Sequence, residues 1–167
     1  AEKMEGRNLR DEEKSKIISE VAVGAIKYSI LKQSIGKDVH FDFEKSISFE
    51  GDSGPYMQYT AVRIKSLLQK ARDAGEGASL ENPEEVGTRE REIYRFPEIV
   101  KRSTVELAPQ HLATYLINLC SSYNSYYASH PIIGKEHAPY RLHLSSAVLN
   151  VLTRGLWLLG IKVPEKM

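Results

Sequence analysis

The sequence predicts an all-α fold, a bundle of five to six helices, and three observations carry that reading. Apolar residues recur at helical spacing along four long stretches, near residues 8–33, 54–71, 107–129 and 138–159. Glycine or proline punctuates the ends of those stretches. The one alternating segment, residues 39–44 (Val-His-Phe-Asp-Phe-Glu), has no second alternating segment to pair with. A lone strand leaves its backbone groups unsatisfied, so this piece reads as an extended connector that pins Phe41 and Phe43 into the helical core.

In the first helix Asn8 is a candidate N-cap, and Asp11, Glu12 and Glu13 suit the positive end of the dipole. Ile17, Val21, Ala25, Tyr28 and Leu31 trace one face until Gly36 ends it, and Val23-Gly24-Ala25 permits close packing. The rest of the chain is organised around residues 49–59, Phe-Glu-Gly-Asp-Ser-Gly-Pro-Tyr-Met-Gln-Tyr. Two glycines and a proline there predict a tight loop opening a helix, with Ser53 or Gly54 as cap and Gly75 as the left-handed stop. Residues 73–88 hold five acidic residues, three glycines, one proline and no basic side chain, which predicts a solvated surface loop. Thr88 caps a short helix through Arg95, Phe96-Pro97 breaks it, and a second short helix covers residues 97–106. Pro109 suits a first helical position, and Leu112, Leu116, Leu119, Tyr123 and Tyr126 carry the apolar face to Ser129. The last helix turns Leu142, Val148, Leu152 and Leu159 inward, and Gly160 and Pro164 stop it.

A chain of 167 residues, 41% hydrophobic and 27% charged, can bury one core, so residues 1–167 read as a single domain. No apolar run approaches the roughly 20 residues a bilayer requires, and no signal pattern opens the chain, so no membrane partner is expected. The single cysteine, Cys120, lies in an apolar pattern and reads as a small buried hydrophobe, which fits a reducing, cytoplasmic location. A net charge of +1 supplies no global basic field, so any nucleic-acid contact must be local.

Chemistry is sparse. Gly51-Asp52-Ser53-Gly54 has the look of a serine-protease nucleophile loop, but that fold is all-β and the phrase is four residues long. None of the five histidines has partners at metal-ligand spacing, so neither a catalytic residue nor a metal ligand is assigned. Two features favour RNA. Tyr123 and Tyr127 are neighbours on one helical face beside Asn124, a combination suited to stacking unpaired bases and bonding their edges. Arg63 with Lys70, and Lys65 with Arg72, repeat at seven along the glycine-led helix as a basic stripe for phosphate. The competing readings are a core aromatic stripe and a merely solvated basic face.

Longer motifs narrow the choice. Residues 23–28, Phe41-Asp42-Phe43, residues 49–59 with Arg63, Phe96-Pro97, residues 123–127, Arg141-Leu142 and residues 155–167 closely resemble, in order, the C-terminal part of arginyl-tRNA synthetases. The resemblance spans nearly the whole chain and implies the anticodon-binding helical bundle shared by several class I synthetases. It implies that the catalytic domain, with its His-Ile-Gly-His-like and Lys-Met-Ser-Lys-Ser-like signatures, precedes residue 1. It places the anticodon-loop aromatics on Tyr123 and Tyr127 and a C-terminal contact on Met167, with Asn124 beside them. Tyr56, Gln58, Tyr59, Arg63 and Lys70 become candidates for tRNA backbone or inter-domain contact. The implied partners are tRNA(Arg) and the chain's own catalytic domain, with no DNA; the implied cofactor is ATP with magnesium in the parent enzyme and none in this fragment. A helical protein-interaction module derived from such a domain is the alternative.

Overall fold

The computed structural model describes residues 10–39, 41–80 and 87–167, and among them it holds seven helices and no strand. They are α1 (Asp11–Leu31), α2 (Phe43–Ser46), α3 (Gly54–Asp73), α4 (Thr88–Tyr94), α5 (Phe96–Val105), α6 (Gln110–Ser129) and α7 (Ala138–Leu158). The all-α expectation holds, with α2 as the helix the sequence did not announce. Asn8, the expected cap of α1, lies outside the described residues, as does part of the acidic loop.

The centre of the bundle is α3, which packs on α1, α6 and α7. Its inward side, Met57, Ala61 and Ile64, is fully buried against Leu116 of α6 and Leu152 and Leu156 of α7. Full burial of a side chain the size of Met57, Ile64 or these leucines contributes roughly 1.5–3 kcal/mol of transfer free energy. The start of α3 is fixed by Ser53, whose hydroxyl accepts from the Tyr56 backbone N–H at 3.1 Å and donates to the Ser48 carbonyl. Gly54 is required by packing: a Cβ there would lie 2.3 Å from the Gly24 carbonyl oxygen on α1. The two glycines therefore let α1 and α3 touch backbone to backbone. At the other end α3 stops two residues before Gly75, which takes φ +76° as expected.

Phe41 and Phe43 are not in the core; they are 47% and 66% exposed. The reason is α2. Asp42 caps it by accepting from the Lys45 backbone N–H at 3.1 Å, and the helical turn that follows sends Ser46 inward, where its hydroxyl accepts from Ser29 at 2.9 Å. Alternation over residues 39–44 thus marked a capped turn rather than an extended tether. The caps of α4 and α6 fall one residue from expectation, on Gly87 and Pro109. The described part of the acidic loop is mostly exposed but tied down, since Glu76 accepts from the Gly134 N–H at 2.7 Å and the Ser79 N–H donates to the Pro139 carbonyl at 3.1 Å.

Candidate nucleic-acid interface

The outward side of α3 carries Tyr56, Tyr59 and Arg63, at positions one turn apart and therefore on one face. They line a groove of about 720 Å³ closed by α6 through Asn124 and by Met167 from the segment after α7. Its far wall is apolar: Ile17, Ile18, Val21 and Ala22 of α1, then Phe43, Ile47 and Phe49. Arg63 is the single cation among the described lining residues and Glu50 the single acid.

Polar groups in the groove hold one another in place. The Asn124 amide donates to the Tyr56 hydroxyl and to Thr60 Oγ1, both at 2.9 Å, and its carbonyl accepts from Arg63 at 3.5 Å. Thr60 in turn donates to the Tyr56 carbonyl at 2.9 Å. The Arg63 guanidinium lies 4.3 Å from the centre of the Tyr127 ring, a cation–π contact. Tyr59, 40% exposed, lines the groove and packs against Phe49 in a T-shaped pair with ring centres 6.2 Å apart. An aromatic rim, one guanidinium and a thioether around an apolar floor suit a flat, unstacked base with a phosphate nearby. Among the described lining residues there is no proton-transfer or nucleophilic pair.

Five of the sequence-proposed residues, Tyr56, Tyr59, Arg63, Asn124 and Met167, meet here. The others do not. Tyr123 is 1% exposed and donates to Ser145 at 2.9 Å; burial, with Tyr127 beside it, pushes its phenol up to about 12. Its ring therefore offers no face to a base, because position 123 continues the Leu112, Leu116, Leu119 stripe into the core. Tyr127 stacks on Tyr123 at 6.2 Å and supports Arg63 from behind rather than lining the groove. Gln58 is fully buried and faces α1, away from any partner outside the bundle, and Lys70 is exposed beyond the groove's end. The basic stripe is divided in the same way, with Arg63 committed to Tyr127 and Asn124.

The sequence reading missed the α1 wall. Its signal was present: Ile18, Ala22, Ile26 and Ile30 repeat at four and form a second apolar face beside the inward one. That second face is exposed at Ile18, Ile26 and Ile30, and it bounds, with Val39, Phe41, Phe43 and Ile47, a wholly apolar hollow of about 430 Å³ next to the groove.

Beneath the loop that opens α3, Asp52 accepts from the Tyr28 hydroxyl and from Lys32 at 3.0 Å. Burial opposes ionisation there, but those two donors hold the Asp52 carboxyl below its ordinary value, while burial and Asp52 raise the Tyr28 phenol. Ser53 beside it is buried and used as a helix cap, with no histidine or other base among its hydrogen-bond partners. The protease-like phrase is therefore structural.

The match to known proteins decides the family. Residues 57–167 match the model of the DALR anticodon binding domain. The chain belongs to that family. The chain is 39% identical over 172 aligned positions to the arginine–tRNA ligase of Pyrococcus furiosus, with 96% of this chain and 27% of that protein covered. It is 41% identical to the corresponding ligase of Pyrococcus abyssi, with 95% and 27% covered. Among solved structures, Thermus thermophilus arginyl-tRNA synthetase superposes with a TM-score of 0.81 at 32% identity, over 98% of this chain and 29% of that one. The Plasmodium falciparum enzyme gives 0.75 at 26% identity, over 91% and 28%. The chain thus spans little more than a quarter of the length of these relatives. Its α1, α2 and the loop before α3 lie outside the stretch matched by the family model but inside the similarity to the ligases.

Proposed function

We propose that this DALR domain holds the anticodon loop of tRNA(Arg) in the groove between α1, α3 and α6, and so positions that tRNA for ATP-dependent arginylation by a catalytic domain encoded upstream of residue 1. The observation that supports it most is the convergence of Tyr56, Tyr59, Arg63, Asn124 and Met167, brought from three separate parts of the chain, on one open groove. Its volume of about 720 Å³ lies within the roughly 300–1,000 Å³ usual for ligand pockets. Tyr59 supplies a stacking face, Arg63 a charge for phosphate, and Asn124 an amide whose bonds to Tyr56 and Thr60 fix its orientation in advance. No chemistry is assigned to the groove; ATP and magnesium would act in the parent's catalytic domain.

The exposed apolar face of α1 with Phe41 and Phe43 supports the second partner, since such a surface in water favours a protein contact. The catalytic domain of the same parent is the occupant proposed for it. No described helix is long and apolar enough to cross a membrane, and the proposed role is cytoplasmic. The test is titration of the chain with an anticodon stem-loop of tRNA(Arg) at several salt concentrations. An affinity that falls with salt and survives competition by an unrelated stem-loop is expected; absence of binding at low salt would overturn the reading.

A further inference from the structure

Gln58 is fully buried on α3, yet its side chain joins two distant parts of the chain. Its Nε2 donates to the Glu20 carbonyl on α1 at 3.0 Å and to the Lys162 carbonyl beyond α7 at 2.7 Å. Both partners only accept, so the amide must present its NH2 to them; the reverse orientation would set Oε1 against two oxygens. The space it occupies exists because residue 24 is glycine, where a Cβ would lie 2.7 Å from both amide heteroatoms. Two further anchors hold the segment after α7: Lys27 Nζ donates to the Gly160 carbonyl at 2.5 Å, and Ile161 is 1% exposed. A few residues on, Met167 forms part of the groove wall.

An apolar side chain could fill this space more cheaply, because Gln58 Oε1 is buried without a hydrogen-bond partner. What an apolar side chain could not do is fix the register of residues 162–167 against α1 and α3. We infer that Gln58 is a positioning residue that clamps the segment after α7 across α1 and α3 and thereby sets Met167 in the groove. The consequence for RNA rests on the groove reading above; the clamp itself does not.

Amide hydrogen exchange on the 167-residue chain separates the two. In Gln58→Met, which keeps the bulk and removes the donor, exchange at the Ile161 amide, which donates to the Leu156 carbonyl at 2.8 Å beside the clamped Lys162, is expected to rise roughly tenfold or more while the α6 and α7 core amides keep their protection. Gly24→Ala, which crowds the amide while leaving Gln58 in place, is expected to loosen the same segment, and it decides the matter if Gln58→Met does not fold. Unchanged exchange at Ile161 in a folded variant, or an equal rise in the core, would overturn the clamp. With RNA, the affinity losses of Gln58→Met and Met167→Ala are expected to be non-additive, the double variant binding about as well as the weaker single one; full additivity would overturn the link to Met167. If the unaltered chain binds no stem-loop, the groove reading fails and the exchange result still judges the clamp.

Discussion

Tyr123 and Tyr59 are the same amino acid in opposite circumstances. Tyr123, on the inward stripe of α6, is 1% exposed and spends its hydroxyl on Ser145; Tyr59, on the outward side of α3, is 40% exposed beside a guanidinium and a thioether. A motif containing both identifies the family without saying which ring meets a ligand, because burial depends on what the neighbouring helices cover. The core ring holds the frame, and the rim ring is free to do work at the surface.

Variants that break this contrast differ in size. The largest loss should come from removing the frame under both regions: Gly54→Val drives side-chain carbon into the Gly24 carbonyl, and a destabilisation of about 5 kcal/mol or more is expected in thermal or denaturant unfolding. Tyr123→Ala comes next, with roughly 3–5 kcal/mol lost in the same measurement, whereas Tyr123→Phe keeps the ring and should lose only about 1 kcal/mol with the Ser145 bond. RNA affinity that fell for Tyr123→Phe in a fully folded chain would return that hydroxyl to the site. Ser53→Ala should cost about 1 kcal/mol of stability through the lost cap and leave stem-loop binding unchanged. Smallest of all is a pH effect at Asp52. Its carboxyl is held below the usual 3.8 in the fold, so its stabilising contribution is complete above that value and is lost as pH falls through the lower folded value. The stability difference between the unaltered chain and Asp52→Asn should therefore shrink in acid below about pH 4, and a difference that stayed constant would remove Asp52 from the account.

The long helices were legible because their signals are local. The Ser53 cap, Pro55 in the first turn, Gly75 past the end, and the stripe from Leu112 to Tyr126 each state a boundary or a face without reference to the rest of the chain. What was not legible depends on contacts between elements. The Phe41 and Phe43 alternation mimics a tether because the Asp42 cap interrupts it within one turn, and the pairing of Tyr123 with Tyr127 mimics a surface because spacing shows adjacency but not cover. Gln58 was placed with its neighbours Tyr56 and Tyr59 at a surface, although a helix turns about 100° per residue and faces it inward. The second apolar stripe of α1 was visible in the sequence, and only the groove it walls gives it a meaning.

The central claim is that the groove, and not the buried tyrosine, receives RNA. It is tested most directly by the affinity of Tyr59→Ala for an anticodon stem-loop of tRNA(Arg), measured beside its thermal stability. A loss of roughly 1–3 kcal/mol of binding, the range for one base stacked on an aromatic ring, with unfolding little changed, is the result the account predicts. Full affinity in Tyr59→Ala, with the unaltered chain binding the same stem-loop, would contradict it.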